Sequence, residues 1–183
     1  MKKSIVSLLV LCVSLCAFAQ TKQHMKFMGI PMGTSISSFQ QKLEAKGIKY
    51  DRVVSKQIPA GSKVFKGPFA GYDASIYTYH DTKDKKVYRA KAMIDREDLS
   101  RAEEIYYDLL LMLSQKYPDA TVYDVTDDYK GCCIYTDLGR IDCYITRFDG
   151  DWTTSYRDRY SVSIDYWDSK TLDSHDSNRL DDL

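Results

Sequence analysis

Only two stretches of this 183-residue chain carry apolar side chains at helical spacing, and most of what lies between and after them alternates with a period of two. That pattern predicts helices packed on a half-buried antiparallel sheet. In the first stretch Thr34 or Ser35 can cap a helix, Ile36, Phe39 and Leu43 recur on one face, and Gly47 ends it. In the second, Ser100-x-x-Glu103 reads as a capping box. Ala102, Ile105, Tyr106, Leu109, Leu110, Met112 and Leu113 then form a broad apolar face, and Pro118 stops the helix.

Strand patterns fill the rest. A short one lies near Val64-Phe65, and residues 74–80 and 86–94 flank the polar loop 81–85 as a hairpin. Residues 121–125, 132–136, 141–148 and 160–167 follow the second helix, with a tight turn at Leu138-Gly139. The expected class is α+β, two helices on antiparallel sheet in the order α-β-β-β-α-β-β-β-β. The helix starts are about 65 residues apart. A duplicated helix-plus-sheet unit, with halves 27–95 and 97–168, and one continuous domain over 20–168 explain this equally well. Residues 169–183 are polar and aperiodic and read as a mobile tail.

The N-terminus has a second pattern. Met1-Lys2-Lys3, an apolar run from Ile5 to Ala17 and the ending Ala17-Phe18-Ala19 are the three parts of a secretory signal over residues 1–19. The run is shorter than the roughly 20 residues a bilayer crossing needs, so no membrane anchor is expected after cleavage. Leu11 before Cys12 and Leu15 before Cys16 do not fit a lipidation site. Loss of Lys2 and Lys3 leaves 24 basic against 26 acidic residues, which gives no electrostatic ground for nucleic acid as a partner.

Cys132, Cys133 and Cys143 remain in a compartment that permits disulfides. With Ile134, Ile141 and Ile145, Cys132 and Cys143 make the apolar side of a hairpin. They stand diagonally if the turn keeps that side continuous, and directly opposite if the register shifts. Cys133 points the other way. One bridge with a free thiol, or none, fits this pattern.

Alternation also assigns faces: Tyr88, Ala90, Ala92 and Ile94 with Ala74, Ile76 and Thr78 inward, and Tyr77, Tyr79, Arg89 and Lys91 outward. Fifteen tyrosines are many for this length. Strand propensity accounts for them, and so does a rigid aromatic platform, since Tyr, Trp and Arg dominate binding hot spots. Trp152, following Asp149-Gly150-Asp151, reads as a loop-tip contact. His80 is the one histidine inside the patterned region and belongs to no catalytic motif. The acidic pairs fit turns better than a calcium loop, and no cofactor or metal is expected.

The stretch Phe27-Met-Gly-Ile-Pro-Met-Gly-Thr-Ser-Ile-Ser-Ser-Phe39, then Leu43, Lys46-Gly47, Phe65-Lys-Gly-Pro-Phe-Ala-Gly71 and the Leu113–Pro118 helix ending, resembles small exported proteins common in gut Bacteroidetes. That resemblance implies location and fold style and brings no catalytic residues. The repeated helix-plus-sheet pattern is similar to β-lactamase inhibitor proteins and small outer-membrane assembly lipoproteins, at the level of fold alone. The leading expectation is an exported, non-enzymatic module that binds a protein or glycan through an aromatic sheet face or loop. A hydrolase of envelope or host polymers with a dispersed site, and a structural envelope component, are the alternatives.

Overall fold

The computed structural model of the protein describes residues 23–96, 98–127, 129–148 and 159–180. Among them, chain order runs β1 (Lys26–Phe27), β2 (Ile30–Pro31), α1 (Ile36–Glu44), β3 (Lys49–Tyr50), α2 (Arg52–Ser55), β4 (Ser62–Phe69), β5 (Tyr72–His80) and β6 (Val87–Arg96). It continues α3 (Leu99–Lys116), β7 (Thr121–Asp127), β8 (Tyr129–Thr136), β9 (Gly139–Phe148), β10 (Arg159–Asp168) and α4 (Ser169–Leu180). The class is α+β with a large antiparallel sheet, as the alternation predicts. The expected two helices are corrected to four among the described residues, and the order changes with them.

Each addition has a local cause. β1 and β2 pair through the two-residue loop Met28-Gly29, whose φ values of 50° and 78° make a type I′ turn. Asp51 caps α2, accepting from the amides of Val53 at 3.1 Å and Val54 at 3.0 Å. α4 occupies residues expected to be a polar tail. It has no apolar stripe, so periodicity could not announce it. Asp168 opens it by accepting from the Thr171 amide at 3.0 Å. His175, from its middle, stacks on Tyr88 with ring centroids 4.2 Å apart. The capping box at Ser100 is also replaced: Asp98 is the N-cap of α3 and accepts from the Arg101 amide at 2.8 Å.

Eight strands form one sheet in the order β3-β4-β5-β6-β10-β9-β8-β7. The order reads symmetrically outward from the β6–β10 pair, with β5, β4 and β3 on one side and β9, β8 and β7 on the other. Register then sets the faces. Ala90 stands opposite Tyr166, Ala92 opposite Ile164 and Ile94 opposite Val162. Ile141, Cys143 and Ile145 of β9 continue these rows. This inner face meets Ile36, Phe39 and Leu43 of α1 and Ala102, Ile105, Tyr106, Leu109 and Leu113 of α3 in one buried core.

Ala90 and Ala92 are fully buried, and their small side chains let the helices approach closely. Each large apolar side chain buried here contributes about 1.5–3 kcal/mol. Phe27 ties the β1–β2 hairpin into the same core, stacked on Phe69 at 5.5 Å and edge-on to Tyr166 at 5.4 Å. Met112, expected on the buried stripe of α3, is 43% exposed instead.

Candidate functional site

α1 and α3 cover the inner face, so the opposite face of β5, β6, β10, β9 and β8 carries the side chains of the other parity. Tyr77, Tyr79, Arg89 and Lys91 lie on it together, with Tyr79 opposite Arg89 and Tyr77 opposite Lys91. Trp152 lies outside the described residues. Beside the four, the fold brings up residues that sequence reasoning did not single out. Arg89 faces Trp167 across β6–β10, Trp167 faces Arg140 across β10–β9, and Arg140 faces Tyr135 across β9–β8.

The result is a single row across five strands in which aromatic and guanidinium groups alternate: Tyr79, Arg89, Trp167, Arg140, Tyr135. From Tyr79 to Arg140, neighbours stack sideways as they stand up from the sheet. The Arg89 guanidinium lies 4.5 Å from the Tyr79 ring centroid and 4.0 Å from that of Trp167, and Arg140 lies 5.1 Å from Trp167 on the next strand. Such stacks are worth about 0.5–2 kcal/mol each, more when desolvated.

Carboxylates in the adjacent row hold the guanidiniums in place. Arg89 Nε donates to Asp165 Oδ1 at 2.9 Å and Oδ2 at 3.0 Å, and Arg89 Nη2 donates to Oδ2 as well. Asp142 Oδ2 takes Arg140 Nη2 at 3.1 Å and the Trp167 indole N–H at 3.1 Å. Asp142 and Asp165 stand directly opposite each other across β9–β10. Two like charges in that position repel, and Arg89 and Arg140 offset the repulsion. Asp165 is 1% exposed. Burial pushes its carboxyl above the usual carboxylate range, and Arg89 only partly offsets that. Burial acts to lower the Arg89 pKa, but Asp165 outweighs it and keeps the guanidinium charged.

No protein family matches this chain, and no curated protein or solved structure is detectably similar to it.

The remaining candidates are less able to do chemistry. Cys132 stands directly opposite Cys143, both on the buried inner face. This is the shifted register among the two alternatives, and Cys133 points to the outer face. Burial raises the Cys143 thiol far above its ordinary value. Burial and then Asp142 push Cys133 up to about 11. Neither is a thiolate at neutral pH, so neither is a ready nucleophile. His80 is held below its ordinary pKa by burial and then by Lys63 and Lys85, and its Nδ1 is buried without a partner. Among the described residues no three His, Cys, Asp or Glu side chains are placed to hold a metal ion.

Proposed function

We propose that the protein is a non-enzymatic binding module that engages a protein partner through the outer sheet face centred on the Tyr79–Arg89–Trp167–Arg140–Tyr135 row. The observation that carries this reading is the row itself, which puts the three hot-spot residue types, Tyr, Trp and Arg, side by side on rigid strands. Arg89 is already locked by Asp165 and by two rings, so little side-chain freedom remains to be lost on binding. Tyr135 and Arg140, at the exposed end, supply an accessible aromatic edge and guanidinium.

A protein partner fits better than a glycan. Sugars stack on open ring faces, whereas the Trp167 ring has guanidiniums beside it. The secretory pattern of residues 1–19 and the resemblance to exported Bacteroidetes proteins support an extracytoplasmic working place.

Site-specific photo-crosslinking tests the reading. A photo-reactive phenylalanine at position 135 is expected to trap one discrete protein, identified by mass spectrometry, while the same probe at exposed Val53 is expected to trap none. Trapping at both positions, or only at 53, contradicts it.

The hydrolase alternative draws on one observation, the opposed carboxylates Asp142 and Asp165. Against it, Asp165 is buried and committed to Arg89, which leaves it poorly placed to exchange protons with a substrate. If the protein cleaves a polymer and Asp142→Asn removes turnover with the fold intact, the alternative prevails. We also infer that the two arms of the sheet descend from one unit, because α1 precedes β3–β6 as α3 precedes β7–β10. A 27–95 fragment should then complete its own sheet as a dimer, and an unfolded monomer counts against this.

A further inference from the structure

On the helical side of the sheet, the face opposite the aromatic row, lies an apolar groove of about 330 Å³. Phe69, Leu109, Ile164 and Tyr166 line its walls. Its size falls within the range of about 300–1,000 Å³ typical of small-molecule sites. Two turns contribute Met28 and Ala70 to the lining, α3 contributes Met112, and Lys116 is the one charged residue among the described lining residues.

The turns carry a specific signal. Met28-Gly29 and Ala70-Gly71 are both two-residue hairpin loops, with φ values of 50° and 78°, and of 51° and 86°. Type I′ turns favour Asn, Asp or Gly at the first position, because with positive φ a Cβ crowds the following carbonyl oxygen at a cost of about 1–2 kcal/mol. Glycine avoids that cost, and the polar side chains of Asn and Asp offset it by local hydrogen bonds. Here both turns place an apolar side chain in that strained position, and both residues line the same groove. Backbone strain of this kind collects at ligand clamps. Met28 and Met112 add adaptable walls suited to a flexible chain. The Lys116 ammonium lies 5.1 Å from the Tyr117 ring centroid and 5.7 Å from that of Tyr166, beside the groove.

We propose that this groove binds a medium-chain aliphatic carboxylate, with the chain between Met28, Ala70 and Met112 over the buried Phe69, Leu109 and Ile164, and the carboxylate on Lys116. The site is independent of the sheet-face reading above.

Calorimetric titration of the full chain with decanoate, decanol and decyltrimethylammonium, all below micelle formation, tests it. Saturable one-site binding of decanoate, with decanol weaker and the cation weakest, is expected. Lys116→Gln should weaken decanoate about tenfold, the scale of one charge-assisted hydrogen bond, and leave decanol unchanged. Met112→Trp, at an exposed position, should block both. Ala70→Asn keeps the turn conformation and should raise Tm while weakening decanoate, which preserves the test if the tryptophan variant does not fold. Four results overturn the proposal: no saturable decanoate binding, equal binding of all three head groups, Lys116→Gln binding like the wild type, or a concentration-dependent dimer that occupies the groove.

Discussion

Replacing Asp165 by alanine strands the Arg89 guanidinium between two rings with no anion beneath it. Removing one partner of a buried ion pair typically costs about 3–5 kcal/mol, whereas replacing both by apolar groups costs far less. Urea unfolding of Asp165→Ala should show a loss of that size, and Arg89→Met with Asp165→Leu should lose clearly less than the sum of the two single changes. Additive losses would mean that the pair is not coupled as its geometry implies.

His80 gives a second residue-scale expectation. Its folded pKa lies below the ordinary 6.5, so the unfolded chain takes up a proton that the folded one resists. The stability it contributes is present above pH 6.5 and is lost as pH falls through the folded value. Acid-induced loss of Tm below that pH should therefore be smaller in His80→Gln, and identical curves would contradict this. Cys133, pushed up to about 11, should alkylate slowly at pH 8 in the folded protein and quickly once unfolded. Because it faces away from the other two, any intramolecular bridge found by peptide mapping should join Cys132 to Cys143.

Elements differ in how plainly their residues announce them. α1 and α3 carry their apolar stripes in the sequence, and the β5–β6 and β8–β9 hairpins carry strict alternation, so these were legible. β1, β2 and β3 have two residues each, too few to alternate. α4 is held by polar contacts that no periodicity encodes. Asp168, fully buried, is the centre of that arrangement. It accepts from the Met25 amide at 2.6 Å, from the Thr171 amide and hydroxyl, and pairs with His24 Nδ1 at 2.8 Å. At the far side His175 Nδ1 lies 2.8 Å from Asp81 Oδ2. One carboxylate thus fastens both the N-terminal segment and the C-terminal helix. Asp168→Ala should speed hydrogen exchange in residues 23–27 and 169–180 together while α3 stays protected. Unchanged exchange in either segment would show that it is fastened by something else.

At the scale of the whole molecule, the aromatic row exists because β6 and β10 are neighbours. Alternation gave each strand its two faces, and so put Tyr77, Tyr79, Arg89 and Lys91 on one surface. It could not say which strand would lie beside β6. Arg89 and Asp165 are 76 positions apart, and only the long-range pairing at the centre of the sheet brings them into contact. Trp167, Arg140, Asp142 and Asp165 were therefore unreadable as site residues, although all but Arg140, one residue before the expected strand 141–148, lie in strands the sequence marks. The cysteine register was set locally instead, by the β8–β9 hairpin in which Thr136 pairs with Gly139. The proposed role of this assembled face is to bind a protein. It is tested most directly by titrating the crosslinked partner, purified, against the wild type and against Arg140→Ala with Tyr135→Ala. Two lost hot-spot contacts at about 2 kcal/mol or more each, about 4 kcal/mol together, predict a fall in affinity of roughly 700-fold or more, with the double variant still folded at the assay temperature. Equal affinity in the two proteins would contradict it.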